Sequence, residues 1–365
     1  MPLSIMVKPA SSACNLRCEY CFYTAVAKKR EVFDKGMLSL ETSEKMISSA
    51  FECSKDFVGF VFQGGEPLIR GIDFYREFVS LVKKYNTSGA EVSFAVQTNG
   101  TLLNDEWCKF FRENNFLVGV SLDGNEEQNK YRVYPDGSAS FSDIMGGIEL
   151  LKKHNVQFNV LSVLTKNLAN TFRDSYKFFK SMGFSYLQYI PCLRDFDSDD
   201  DVYVMNNEDY LNYLNFAFRM YYNARLRGTP FSIRQFDNYV LLAHGSCPEQ
   251  CGMKGGCSEQ FVVEGDGSVY PCDFYELDAW KLGSISDDSL RRMLTGEREQ
   301  AFLAESLPVP AACRACRWYS LCRNGCKRER VPETGLNRWC GVHTAFFEYA
   351  YPRMREMAEA LQKTV

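Results

Sequence analysis

The feature that most narrows the folds open to this chain is an alternation in its first half. Short runs rich in β-branched and aromatic residues are followed by longer stretches whose apolar residues recur at helical spacing. The pattern predicts strands at 4–8, 58–63, 91–98, 116–122, 157–164 and 186–190, with helices at about 42–54, 73–85, 105–114, 142–154 and 171–182. Asn104 and Asp105 precede one of these helices and are candidate caps. Regular β-α alternation implies a parallel sheet with right-handed crossovers. Six strands are too few for a closed eight-stranded barrel, and an open doubly wound sheet satisfies the same pattern. Periodicity therefore gives an α/β class without the closure. In both architectures ligands collect at the C-terminal ends of the strands. The polar and glycine-rich pieces fall there: QGGEP after the second strand, QTNG at the third and SLDG at the fourth.

From about residue 194 the pattern changes. RDFDSDDD (194–201) reads as a solvated acidic loop, 207–228 as an amphipathic helix and 233–244 as another. Beyond Cys247 the chain becomes rich in cysteine and loops. QFVVEGDGSVYPC (260–272) reads as a hairpin turning at GDG, and about 343–361 as a closing helix. The expected division is 1–230 and 231–365. Glu264 and Asp266 frame the hairpin turn and are expected to be solvated. His154, His244 and His343 show no ligand spacing and are expected to be structural or at the surface. A formal net charge of -4 and a pI near 5.7 give no electrostatic case for nucleic acid or an anionic membrane. The opening MPLSIMVKPA lacks the basic and apolar regions of a signal peptide, and no apolar run is long enough to span a bilayer. A cytoplasmic protein is expected.

The 15 cysteines are clustered, which in a reducing compartment points to metal or redox chemistry more than to disulfides. Cys14, Cys18 and Cys21 follow a C-x3-C-x2-C spacing. Cys251, Cys257 and Cys272 form a second set, and Cys313, Cys316, Cys322, Cys326 and Cys340 a third. The total divides into one set of three and two of four if one member of the last group joins the second. Cys53, Cys108, Cys192 and Cys247 remain. Lone cysteines in helix or strand patterns read as small buried hydrophobes, although Cys247 lies beside a metal-type set. Four thiolates suit zinc or an iron–sulfur cluster, and the spacing of the last group does not decide between them. A set of three is different, because it keeps a coordination position open.

The C-x3-C-x2-C motif, with Tyr20 and Phe22 flanking Cys21 after a first strand, resembles that of the radical S-adenosylmethionine superfamily. The resemblance implies a four-iron cluster on Cys14, Cys18 and Cys21 whose free iron binds the amino and carboxylate groups of S-adenosylmethionine. Reductive cleavage of that cofactor gives a 5′-deoxyadenosyl radical. Gln63, Gly64, Gly65 and Glu66 resemble the family motif that receives the methionine amino group, for which a carboxylate and a carbonyl are suitable acceptors. Gln97, Thr98, Asn99 and Ser121 sit where family members contact the ribose and the carboxylate, and Tyr23 is a candidate wall of the site. The C-terminal third resembles a SPASM domain. By that resemblance Cys251, Cys257, Cys272 and Cys326 hold one auxiliary cluster, and Cys313, Cys316, Cys322 and Cys340 a second. The implied fold is a partial (β/α)6 TIM-type barrel with a cysteine-rich C-terminal domain and a closing helix. The implied cofactors are three [4Fe-4S] clusters and S-adenosylmethionine.

KPASSACNLRCEYCFY, FQGGEP, QTNGTLL, CGMKGGC and YPCDFY are similar, more closely, to the anaerobic sulfatase-maturating enzymes. These convert a sulfatase cysteine or serine to Cα-formylglycine. In that family the aspartate after YPC is the proposed general base, which here is Asp273. The resemblance implies that the radical takes a Cβ hydrogen atom, Asp273 takes the thiol proton, and the remaining electron leaves through the auxiliary clusters. It also implies a sulfatase polypeptide as substrate and an electron donor such as a flavodoxin or ferredoxin, with no nucleic acid and no membrane. The same residues have plainer readings. Asp273 in a turn can simply accept hydrogen bonds, Gly64 and Gly65 can be turn glycines, and Ser121 can serve a turn. Two other functions compete: a radical enzyme that crosslinks or epimerises a ribosomal peptide, and a non-catalytic metal scaffold. The short stretch before Cys14 leaves no room for the N-terminal recognition domain that many peptide crosslinkers carry, and the open three-cysteine site argues against a scaffold. Residues 192–206 match no maturase feature and are a candidate lining of the substrate channel.

Overall fold

The computed structural model describes residues 2–196 and 202–362, so much of the predicted acidic loop at 194–201 lies outside the described residues. The chain forms two compact units, each discontinuous in sequence. The first comprises Met1–Leu122, Lys130–Asn159 and Glu259–Phe302, and the second Asp123–Asn129, Val160–Ser258 and Leu303–Val365. The strands, in chain order, are β1 (Leu3–Val7), β2 (Phe57–Phe62), β3 (Glu91–Thr98), β4 (Phe116–Ser121), β5 (Phe158–Leu164), β6 (Tyr186–Pro191), β7 (Ser232–Ile233), β8 (Phe261–Val263), β9 (Ser268–Tyr270) and β10 (Gly283–Ser284).

In the first unit β1 to β4 pair in parallel, in sequence order, as the β-α alternation requires. The helices between them are α1 (Phe22–Ala27), α2 (Leu40–Cys53), α3 (Ile72–Tyr85) and α4 (Asp105–Glu113), and α5 (Phe141–Lys153) follows β4. Of the two candidate caps, Asn104 is the cap and Asp105 the first helical residue. Asn104 Oδ1 accepts from Trp107 N at 2.9 Å. The core beneath the strands is aromatic. Phe62 meets Phe78 edge-on at 5.0 Å, Phe94 stacks on Phe116 at 4.9 Å, and Tyr75 meets Trp107 edge-on at 5.1 Å.

The predicted hairpin is present as antiparallel β8 and β9, with β10 added to β9. Its place in the sheet was not predicted. β8 pairs in parallel with β1, on the edge opposite β2, with Ile5 facing Phe261 and Val7 facing Val263. The first strand is therefore flanked on one side by the next strand in the chain and on the other by a strand from its last third.

In the second unit β5, β6 and β7 pair in parallel, β5 having begun in the first unit. Helix Asn207–Leu226 starts at a capping box in which the Asn206 side chain accepts from Asp209 N at 2.9 Å and Asp209 Oδ2 accepts from Asn206 N at 3.0 Å. Its Phe218 meets Phe346 of the closing helix Cys340–Gln362 at 5.7 Å. β7 and α1 are too short to register as a periodic signal and were not predicted.

Candidate active site

The site is built in the first unit at the C-terminal ends of β1 to β4. Cys14, Cys18 and Cys21 occupy the loop between β1 and α1, with Cys21 as the residue that opens α1. Leu16 N points at Cys14 Sγ at 3.4 Å, and Asn99 Nδ2 lies 3.9 Å from the same sulfur. Three thiols on one loop, one of them facing amide donors, is a donor set suited to a thiolate-ligated iron cluster.

Glu66 links the next two loops. It is fully buried and accepts from Leu68 N at 3.0 Å, Thr98 Oγ1 at 2.7 Å and Asn99 N at 2.7 Å. Burial pushes its carboxyl up to about 7 against those three donors. Asn99 in turn donates to Asn15 Oδ1 at 2.9 Å, tying QTNG to the cysteine loop. Gly64 and Gly65 are more than turn glycines. Both have positive φ, +96° and +55°. A Cβ on Gly65 would stand 2.3 Å from Ala13 O, and one on Gly64 would stand 2.2 Å from Lys8 Cε. Gln97 Nε2 donates to Ser121 Oγ at 3.0 Å, joining the ends of β3 and β4.

Asp273 opens a short turn after Cys272, whose sulfur lies 3.7 Å from Asp273 Oδ1. Gln63 Nε2 donates to the Tyr23 hydroxyl at 2.6 Å, and that hydroxyl donates to Asp273 Oδ2 at 3.4 Å. Sequence positions 23, 63 and 273 thus meet in one hydrogen-bonded line. Burial raises the Asp273 carboxyl, with Lys8 opposing, and burial holds the Tyr23 phenol well above its ordinary range.

Behind this line lies a group that the sequence reading missed. Lys8, only 1% exposed, donates to Glu264 Oε1 at 2.9 Å and Glu276 Oε2 at 2.5 Å. Arg30 reaches the same two oxygens at 2.5 and 3.4 Å. Glu264 is therefore not solvated: it is fully buried between two cations, which outweigh its burial and hold its carboxyl at about 2. For Glu276 burial wins, and its carboxyl is pushed up to about 7. Asp266, as expected, is exposed and pairs with Lys35 at 3.3 Å. The only local hint was a lysine placed directly after the apolar run of β1.

Comparison with known proteins bears on what these residues serve. The profile of the radical SAM superfamily matches residues 9–179, and that of the SPASM iron–sulfur cluster-binding domain matches residues 251–317. A cysteine-type anaerobic sulfatase-maturating enzyme of Clostridium novyi (strain NT) is 43% identical over 366 residues, which cover 98% of each chain. The chain belongs to the anaerobic sulfatase-maturating enzyme family. It is accordingly a radical SAM enzyme with the radical SAM fold and an iron–sulfur domain. Among solved structures, native anSMEcpe with bound AdoMet superposes with a TM-score of 0.94 at 39% identity, over 98% of this chain and 100% of that one. Native anSMEcpe with bound AdoMet and Cp18Cys peptide gives 0.94 at 38% identity, over 99% and 100%.

In this member of the maturase family the second unit carries seven of the eight cysteines assigned to auxiliary sites, and Cys272 belongs to the first. Cys313, Cys316, Cys322 and Cys340 line one cavity of about 70 Å³ with Trp318 and His343. Four thiols around one enclosed space fit a fully ligated cluster. His343 is buried, with Nδ1 3.6 Å from Cys322 Sγ, and burial holds its imidazole down at about 4, so it is neutral. Cys326 lies against Gly252, where an added Cβ would stand 3.4 Å from Cys326 Cβ, and Arg328 N points at its sulfur at 3.4 Å. Among the described residues, no three His, Cys, Asp or Glu side chains are grouped to hold a single metal ion. His154 and His244 make side-chain contacts to Asp105 at 2.6 Å and Ser246 at 2.8 Å. Cys108 and Cys192 are buried, Cys53 is half-buried and Cys247 is exposed. No helix among the described residues is long and apolar enough to cross a membrane.

Proposed function

We propose that this protein oxidises a sulfatase active-site cysteine to Cα-formylglycine within an extended peptide segment. The observation that carries this reading is the line Gln63–Tyr23–Asp273, which sets a half-buried carboxyl beside the three-thiol loop. The presence of a Cp18Cys peptide in a solved relative supports a peptide substrate. We assign three clusters, on Cys14, Cys18 and Cys21, on Cys251, Cys257, Cys272 and Cys326, and on Cys313, Cys316, Cys322 and Cys340. The cofactor-binding barrel spans 1–230 and the cluster-bearing extension 231–365.

Converting a thiol to a thioaldehyde removes two electrons and two protons. When bound, S-adenosylmethionine and the clusters supply a radical that takes one Cβ hydrogen atom and an acceptor for the electron left behind. Asp273 takes the thiol proton, with Tyr23 and Gln63 fixing its direction. Water then replaces sulfur, giving the aldehyde and sulfide. At the cofactor end, Glu66 Oε2 accepts from Asn99 N alone among the protein donors, and Glu66 together with the backbone of Gly64 and Gly65 receives the methionine ammonium. Gln97 and Ser121 orient the ribose and carboxylate. A flavodoxin or ferredoxin serves as electron donor.

The test is anaerobic reconstitution with S-adenosylmethionine, reductant and a peptide containing C-x-P-x-R, read by mass spectrometry. A loss of about 18 Da is expected, the mass difference between cysteine and formylglycine with the cofactor acting as carrier. Deoxyadenosine with an unchanged peptide would overturn the maturase assignment and favour a crosslinking or epimerising reaction on another peptide.

A further inference from the structure

We propose that Lys8 is a positioning residue for the oxidation, registering the QGGEP loop against the segment that carries Asp273. This rests on the maturase reading given above. The argument is geometric. Lys8 follows β1 directly, and its methylene stem lies so close beneath Gly64 that a Cβ there would stand 2.2 Å from Cε and 2.9 Å from Cδ. Its ammonium lies 4.9 Å from the centroid of the Tyr23 ring. The same ammonium holds Glu264, at the hairpin turn, and Glu276, three residues past Asp273. One side chain thus touches the proposed cofactor loop, the tyrosine that bonds Asp273, and both flanks of the Asp273 segment.

The charges around Lys8 form one buried cluster, in which Arg30 Nε and Glu276 Oε1 make no hydrogen bond. Arg30 shares both carboxylates with Lys8, and Ser12 Oγ and Phe33 O take the other end of the Arg30 guanidinium at 3.0 and 2.9 Å. Asp273 and Tyr270 also face the set. Removing a buried cation from such a set leaves two carboxylates competing for Arg30 alone, and the segment between them loses its anchor. A buried lysine that served only to stabilise the fold would not need to touch both halves of the reaction site. Misplacing the base by about 1 Å is enough to cost on the order of a hundredfold in a step that depends on alignment.

The test compares Lys8→Met with the wild-type holoenzyme, and its readout is the ratio of deoxyadenosine formed to aldehyde formed. With iron content matched, Lys8→Met is expected to raise that ratio about tenfold or more, because radical formation continues while proton removal is out of register. Lys8→Arg, which keeps the cation, is expected to recover most of the coupling. A purely structural role would lower both products together, so an unchanged ratio in Lys8→Met overturns the proposal. If Lys8→Met does not fold, Glu276→Gln replaces it, keeping shape while removing one of the two anchors, with the same expected rise and the same overturning result. If the wild type makes no aldehyde, hydrogen exchange on the anaerobically reconstituted protein decides. Faster exchange confined to 264–276 in Lys8→Met supports the registering role, and exchange that is unchanged or raised throughout overturns it.

Discussion

Asp273 and Tyr23 are both half-buried acids, and the desolvation they undergo raises both. The carboxyl remains by far the stronger acid of the two, so it is the group that ends a proton transfer, and Tyr23 is its guide. Asp273→Asn is therefore expected to leave deoxyadenosine formation within about threefold of wild type while aldehyde yield falls roughly a hundredfold or more, measured in the same reaction. A second carboxyl makes a stability prediction. Glu299 is buried, both of its oxygens lack a hydrogen-bonding partner, and burial lifts it from 4.5 to about 7. The folded chain thus keeps a proton that the unfolded chain releases, so stability is fullest below pH 4.5 and is lost as pH rises toward 7. Glu299→Gln is expected to match wild type at pH 4 and to exceed it by about 1–3 kcal/mol at pH 8, as denaturation midpoints would show. Gly65 shows what a sequence conveys at this scale. That it lies in a loop was legible, but the carbonyl of Ala13 waiting where a Cβ would go was not.

The elements were the most legible level, because each carries its own period. β3 spans 91–98 as read, and α3, α4 and α5 begin and end within one residue of expectation. The cap at Asn104 was legible for the same local reason. Asn104→Ala is expected to cost about 1 kcal/mol in urea denaturation, since Trp107 N loses its acceptor. Pairings between distant elements leave no such mark. The run QFVVE announces a strand but not that its neighbour is β1. That ignorance misplaced Glu264: a residue beside a GDG turn reads as solvated until the turn is known to close over Lys8 and Arg30. Short helices such as Lys166–Asn170 fail for a different reason, being too brief for a period to show.

At the scale of the whole molecule, the sequence sorted the cysteines into sets but did not show the space between them. The cavity lined by Cys313, Cys316, Cys322 and Cys340 gives the last set a defined volume. Cys316→Ala is expected to lower bound iron by about one third, measured after anaerobic reconstitution, because one of the three four-iron clusters proposed above loses a ligand. If all three clusters remained, the assignment of Cys316 would be wrong. The two units are interleaved along the chain, with the first resuming at Glu259 after a long excursion. The join between β1 and β8, Ile5 against Phe261, has a consequence for the newborn chain. At about 5–20 residues per second, a ribosome takes roughly 10–50 s to deliver the second strand after the first has emerged. Throughout that interval the β1 edge that β8 will cover lacks its partner strand, so this join closes only after most of the chain has been made.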